Sequence, residues 1–104
     1  MRALQPEQLK PLLDAKQVTL LDVRGAEEVA RAALPGAVHI PMSEISTRLS
    51  ELNPAGAIVV MCHHGVRSEM AGRFLQRNGF TDVSHLAGGI DAWSQKVDAA
   101  VPRY

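Results

Sequence analysis

Short apolar runs alternate along the chain with segments whose apolar residues are spaced as in a helix. Residues 18–21 and 57–61 are nearly continuous apolar runs, which is typical of strands that are buried on both faces of a sheet. Residues 6–16, 43–52 and 68–78 carry apolar side chains three or four positions apart, which predicts helices. Because strands and helices alternate, the pattern predicts βαβ units and therefore a parallel sheet.

Shorter segments complete the predicted order of elements. The Ala- and Glu-rich residues 25–33 and the final residues 89–96 are predicted as helices, and residues 2–4, 38–40 and 83–86 as short strands. The tail after Val97 shows no pattern that predicts an element. The sequence thus predicts one α/β domain over residues 1–104, in which a small parallel sheet of about five strands has helices on both faces.

Composition excludes several classes of protein. The chain has 104 residues, of which 46% are hydrophobic, and its 11 Lys+Arg balance 11 Asp+Glu, so a disordered chain, a nucleic-acid partner and a membrane-surface partner are not expected. No apolar run approaches the roughly 20 residues that a membrane span requires, and the first residues lack the apolar core of a signal peptide. A single cysteine cannot form an internal disulfide. These observations favour a cytoplasmic location.

The only cysteine directly follows the most apolar run, at the strand end where open α/β sheets bind ligands. A free cysteine is more often a small buried hydrophobe, but the neighbours of Cys62 favour a functional role. Gly65 allows a tight turn, Arg67 supplies a fixed cation, and a helix from Ser68 would direct its free N–H groups at the loop. A nest of N–H groups favours the nucleophilic thiolate and would also stabilise a persulfide anion or hold a small oxyanion.

Two adjacent histidines, His63 and His64, add hydrogen-bond donors to this loop and gain positive charge at acidic pH. Adjacent histidines seldom bind the same ion, and His39 and His85 are isolated in the sequence, so no metal site is expected. The glycine-rich motifs of nucleotide-binding loops are absent as well. The sequence therefore predicts chemistry that needs no metal or cofactor.

Four segments carry recognisable motifs in a fixed order. They are LLDVR at 20–24 followed by Glu28, LPGAVHIP at 34–41, CHHGVRS at 62–68 and LAGGIDAW at 86–93. Together they resemble the D-x-R-x-x-x-E signature, the I-P-G-A-x-x-I-P turn, the active-site loop and the closing L-x-G-G-x-x-A-W of the rhodanese family in its single-domain form. The resemblance spans roughly residues 5–96. It departs at Ala32-Ala33, where the family commonly has Gly-His, and this affects the expected turn geometry more than the chemistry.

The resemblance implies a thiosulfate sulfurtransferase. Such an enzyme moves a sulfane sulfur from thiosulfate, or a similar small anionic donor, to cyanide or a thiol. Carried onto this chain, Cys62 is the catalytic nucleophile and carries the sulfur as a persulfide, which predicts ping-pong kinetics. Arg67 would contact the anionic part of the donor. The residues implied to bind substrate follow the cysteine in the loop: His63, His64, Gly65, Val66, Arg67 and Ser68.

Three alternatives remain beside this interpretation. Rhodanese-like phosphatases share the implied fold, but they have five residues between cysteine and arginine, and the four found here favour sulfur over phosphate. A noncatalytic rhodanese-like binding module is another class, although such modules often lose the cysteine that this chain keeps. A persulfide carrier in a sulfur-trafficking pathway needs the same loop as a free-standing enzyme. With no second domain over the loop, thioredoxin or another protein is a candidate thiol acceptor.

A few residues near the motifs are expected to be structural. Asp22 and Arg24 are predicted to form an ion pair, because a carboxylate in such a position usually satisfies nearby donors. Met70 is predicted to pack in the core, and the pair Gly88-Gly89 to shape a strand-to-helix turn near the site.

Overall fold

One parallel sheet of five strands organises the chain, and the computed structural model describes all of residues 1–104. The strands are Arg2–Leu4 (β1), Thr19–Asp22 (β2), Val38–His39 (β3), Ala57–Met61 (β4) and Asp82–Leu86 (β5). Their order across the sheet is β1-β5-β4-β2-β3, and every neighbouring pair is parallel. The predicted parallel sheet is therefore confirmed, including its short edge strand at residues 2–4.

Four α-helices cover the sheet: Pro6–Asp14 (α1), Ala26–Arg31 (α2), Val66–Arg77 (α3) and Gly89–Lys96 (α4). Successive strand side chains point to opposite faces, so each strand serves two hydrophobic cores. Leu21 and Val60 pack in the core that includes residues of α3, whereas Leu20 and Val59 pack in the core that includes residues of α1 and α4. Helices on both faces were predicted and are confirmed. None of these helices combines the length and apolar character needed to cross a membrane.

The α-helix predicted at residues 43–52 is the clearest error in the predicted secondary structure. That segment forms two 3-10 helices, Met42–Thr47 and Leu49–Glu51. The Thr47 hydroxyl donates a hydrogen bond to the backbone carbonyl three residues earlier, which competes with the α-helical ladder. Arg48, with φ of −121°, then separates the two segments. Two apolar side chains of the segment, Ile45 and Leu52, are buried, but the backbone winds as the tighter 3-10 helix.

The start of α3 also differs from the prediction. The helix begins at Val66, two residues before the predicted start, so its N-terminus lies closer to Cys62. Met70 was predicted in the core, but its side chain is 59% exposed. Ala71 and Leu75, four positions apart, define the buried face of α3, and each helical step rotates by about 100°. Met70 is therefore turned toward the rim of that face.

Candidate active site

The Cys62 side chain lies directly after β4, at the carboxyl edge of the sheet. Its Sγ accepts hydrogen bonds from the backbone N–H groups of Gly65, at 3.0 Å, and Ser68, at 3.3 Å. The Ser68 hydroxyl lies 3.5 Å from Sγ and donates to the Gly65 carbonyl at 3.0 Å. Cys62 is only 1% exposed. The sulfur is thus held at the base of a loop whose N–H groups converge on it, an arrangement suited to negative charge on sulfur.

Gly65 makes the loop possible because it adopts a left-handed backbone conformation, with φ of +114°, immediately before α3. A Cβ at this position would lie 3.4 Å from the backbone nitrogen of Gly88. The first two N–H groups of the helix, those of Val66 and Arg67, have no acceptor within α3. They add to the positive end of the helix dipole beside the sulfur.

The N-terminus of α4 fixes the other side of the loop. The N–H of Ile90 donates to the Cys62 carbonyl at 2.9 Å, and the N–H of Asp91 donates to the His63 carbonyl at 3.2 Å. Gly89 has φ of +63°, and a Cβ on it would overlap the carbonyl oxygens of Cys62 and His63. The predicted turn at the glycine pair is confirmed. The carbonyls of Cys62 and His63 thus point toward α4, whereas the N–H groups of Gly65 and Ser68 point toward the sulfur.

A buried ion pair lies beneath the loop, as predicted for Asp22 and Arg24. The guanidinium donates through Nη2 to Oδ2 at 2.6 Å and through Nε to Oδ1 at 2.9 Å, and both side chains are buried. Nη2 also donates to the carbonyl of Ala32, and Nη1 donates to the Tyr104 hydroxyl at 2.9 Å. The pair is therefore fully hydrogen-bonded, as a buried charge requires.

Arg67 and Glu28 form a second, two-pronged ion pair at the rim of the loop. Nη1 donates to Oε1 at 2.6 Å and Nη2 donates to Oε2 at 2.8 Å. The Tyr104 hydroxyl also donates to Oε2, at 2.8 Å, and the Gly25 N–H donates to Oε1 at 3.3 Å. These bonds, the Arg67 guanidinium first among them, lower the pKa of Glu28 from 4.5 to about 2. The cation expected to meet the donor is thus held by a carboxylate.

Tyr104, in the tail that showed no pattern, is part of the site. Its ring stacks on the ring of His63, with centroids 3.8 Å apart and planes 9° apart, and His63 in turn stacks on His64 at 3.9 Å. Burial, followed by the nearby charge of His64, lowers the pKa of His63 below its usual value of 6.5. Tyr104 could not be recognised from the sequence, because its bond to Glu28 joins positions far apart in the chain. No group of three or more His, Cys, Asp or Glu side chains is placed to hold a metal ion.

The depressed pKa of Glu28 predicts a specific acid sensitivity. A carboxylate whose pKa is lower in the folded state stabilises the fold above its unfolded value, and this contribution is lost as pH falls from 4.5 to about 2. The loss should amount to about 1–2 kcal/mol, because the partly exposed Arg67 side chain is screened by solvent. Urea unfolding across this pH range should show a loss that is larger by this amount in the wild type than in Glu28→Gln, because other carboxylates such as Asp91 also have lowered pKa values and contribute to both proteins. Glu27→Gln, on the exposed side of the same helix, should behave as the wild type does.

Together, the sheet and the cysteine loop at its carboxyl edge define a rhodanese-like domain. Residues 5–96 match the rhodanese-like domain family, and the chain belongs to that family.

Relatives and solved structures agree with this assignment. The chain is 40% identical over 93 residues to YrkF of Bacillus subtilis, named as a proposed sulfur carrier protein; the match covers 88% of this chain and 50% of YrkF. It is 37% identical over 84 residues to a sulfurtransferase of Allochromatium vinosum, covering 81% of this chain and 78% of that protein. The crystal structure of a rhodanese-like domain protein from Staphylococcus aureus superimposes with a TM-score of 0.85 at 32% identity, covering 100% of this chain and 99% of that one. The chain thus spans half the length of YrkF.

Proposed function

We propose that this protein is a sulfurtransferase that takes a sulfane sulfur from thiosulfate, or a similar donor, onto Cys62 and passes it to cyanide or a thiol. The observation that carries the proposal is the pair of backbone N–H groups, from Gly65 and Ser68, directed at the Cys62 sulfur. Two relatives, a sulfurtransferase and a protein named for sulfur carrying, support the same class of chemistry.

The loading step follows from the position of the sulfur. The Cys62 thiolate attacks the outer sulfur of thiosulfate, the S–S bond of the donor breaks, and sulfite leaves with the bonding electron pair. The product is a Cys62 persulfide, and no net oxidation takes place. The N–H groups of the loop, from His63 to Ser68, would stabilise the negative charge on the outer sulfur. Arg67 would contact the anionic part of the donor through N–H groups not used by Glu28. An acceptor then removes the outer sulfur in a second half-reaction.

Intact-protein mass spectrometry after incubation with thiosulfate tests the proposal. We expect the mass of the intact protein to increase by one sulfur atom. Digestion should then locate that atom on the peptide that contains Cys62. Cyanide should remove that atom and release thiocyanate. If the reduced, folded protein gains no sulfur from thiosulfate, thiosulfate is not the donor; if persulfide donors fail as well, the transferase function is refuted.

A persulfide carrier that serves a protein partner is the second candidate. Val66, at the start of α3 and within the loop, is 72% exposed, and Met70, one turn further along α3, is 59% exposed. Apolar side chains beside a reactive loop suit contact with another protein. In the mass measurement, reduced thioredoxin would then discharge the persulfide faster than buffer alone. A reducing compartment such as the cytoplasm would keep Cys62 ready for either role.

A further inference from the structure

The arginines around the loop are each matched by a carboxylate. The three pairs are Arg67–Glu28, Arg103–Asp91 and Arg24–Asp22, with closest N–O distances of 2.6, 2.9 and 2.6 Å. Burial lowers the pKa of His63 below its usual value of 6.5, and His64 lies 4.0 Å from the carboxylate of Asp91. The side chains at the mouth therefore carry no excess positive charge at neutral pH. The backbone N–H groups are what remains to attract an anion.

Glu28 is the residue that decides this balance. Both of its carboxylate oxygens bind Arg67, and hydrogen bonds from Tyr104 and Gly25 hold it in place. Its pKa of about 2 keeps it ionised at neutral pH. Arg67 thus presents N–H groups to the site but little net charge, because an equal and opposite charge lies within 3 Å of it.

This balance matters because candidate donors differ in charge. Thiosulfate brings two negative charges to a thiolate, and a neutralised Arg67 offsets little of the repulsion. A persulfide of an uncharged thiol brings at most one negative charge, and its protonated form R–S–SH, whose outer sulfur a thiolate can attack, brings none. Its transfer is balanced as Cys62–S⁻ + R–S–SH → Cys62–S–SH + R–S⁻, in which the donor S–S bond breaks and the thiolate R–S⁻ leaves with the electron pair.

Resting on the proposed function, we propose that Glu28 is a specificity-determining residue, which neutralises Arg67 and thereby favours persulfides of uncharged thiols over the thiosulfate dianion as sulfur donors. Glu28 acts through Arg67 and does not touch the reacting sulfur. Its removal should therefore change the choice of donor rather than the reactivity of Cys62.

Single-turnover loading of Glu28→Gln tests this assignment. Rapid quenching followed by intact mass gives the loading rate constant for thiosulfate and for the persulfide of 2-mercaptoethanol. With one positive charge exposed on Arg67, loading by thiosulfate should rise about tenfold, whereas loading by the persulfide should stay within about twofold. Glu27→Gln removes the same charge from the same helix without touching Arg67, and both rates should match those of the wild type. A fall in thiosulfate loading, or an equal change for both donors, would overturn the proposal.

The rate of thiosulfate loading of the wild type, measured at several salt concentrations, tests the inference without a variant. If Arg67 is neutralised, a thiolate and a dianion repel each other, so loading by thiosulfate should rise about twofold between about 20 and about 200 mM salt. A fall over that range would mean that the site presents net positive charge and would refute the inference. Failure of the wild type to load from either donor would refute the proposed function itself. Normal loading from both donors with no selective effect of Glu28→Gln would refute the inference alone.

Discussion

Cys62→Ser is expected to reduce sulfur loading below detection, by a factor of at least about 1,000, while the fold stays intact. A serine hydroxyl has almost the shape of the thiol and can accept the same N–H hydrogen bonds from Gly65 and Ser68. It cannot, however, hold a sulfane sulfur as a persulfide. The chain has only one cysteine, so no second thiol can take over.

Intact mass after incubation with thiosulfate or a persulfide, together with thiocyanate release, measures this loss. Thermal unfolding of wild type and variant provides the control, and the two midpoints should agree within a few degrees. Sulfur retained covalently by a folded Cys62→Ser protein would show that the carrier atom lies elsewhere and would refute the proposed role of Cys62.

Gly89→Ala is expected to disturb both the fold and the loop. The new Cβ would overlap the carbonyl oxygens of Cys62 and His63, which are backbone atoms and cannot rotate away. The positive φ of +63° adds strain for any residue with a side chain. We expect the free energy of unfolding to fall by about 2–4 kcal/mol. Sulfur loading should fall by about 100-fold, because the α4 N–H groups no longer fix the loop carbonyls.

Gly79→Ala is the matched control for this variant. Gly79 also has a positive φ, +89°, but a Cβ there meets no atom within 4 Å. That substitution should cost about 1 kcal/mol from backbone strain alone and leave loading unchanged. Urea unfolding and the loading assay separate the two effects. If both variants lost the same amounts of unfolding free energy and of sulfur loading, overlap with the loop carbonyls would not contribute to the effect of Gly89→Ala.

The sheet could be predicted from the sequence because its signals are local. Residues 18–21 and 57–61 are apolar runs too short for helices, and the alternation with helical segments leaves a parallel sheet as the simple arrangement. The loop could be found for a similar reason. Cys62, Gly65 and Arg67 follow the most apolar strand directly, so one stretch of sequence contains the proposed nucleophile, the turn and the cation.

What the sequence could not predict depends on contacts between distant positions. Tyr104 reaches Glu28 and His63 only in the folded chain, and no periodic pattern marks it. The resemblance included Glu28 but did not indicate that its carboxylate binds Arg67, because charged side chains have many available partners. The prediction that Met70 packs in the core was wrong for a related reason. Helical spacing shows which face of a helix is apolar, but not how much of that face neighbouring elements cover.

The contact between α4 and the Cys62 loop has a consequence for the order of biosynthesis. A ribosome releases Cys62 well before Gly89, Ile90 and Asp91, and domains generally assemble as their chain emerges. Until those later residues dock, nothing fixes the carbonyls of Cys62 and His63. A nascent or nicked chain that lacks α4 would lose the two hydrogen bonds that these carbonyls accept. The conformation that directs N–H groups at the Cys62 sulfur would therefore be fixed only when the last helix is complete.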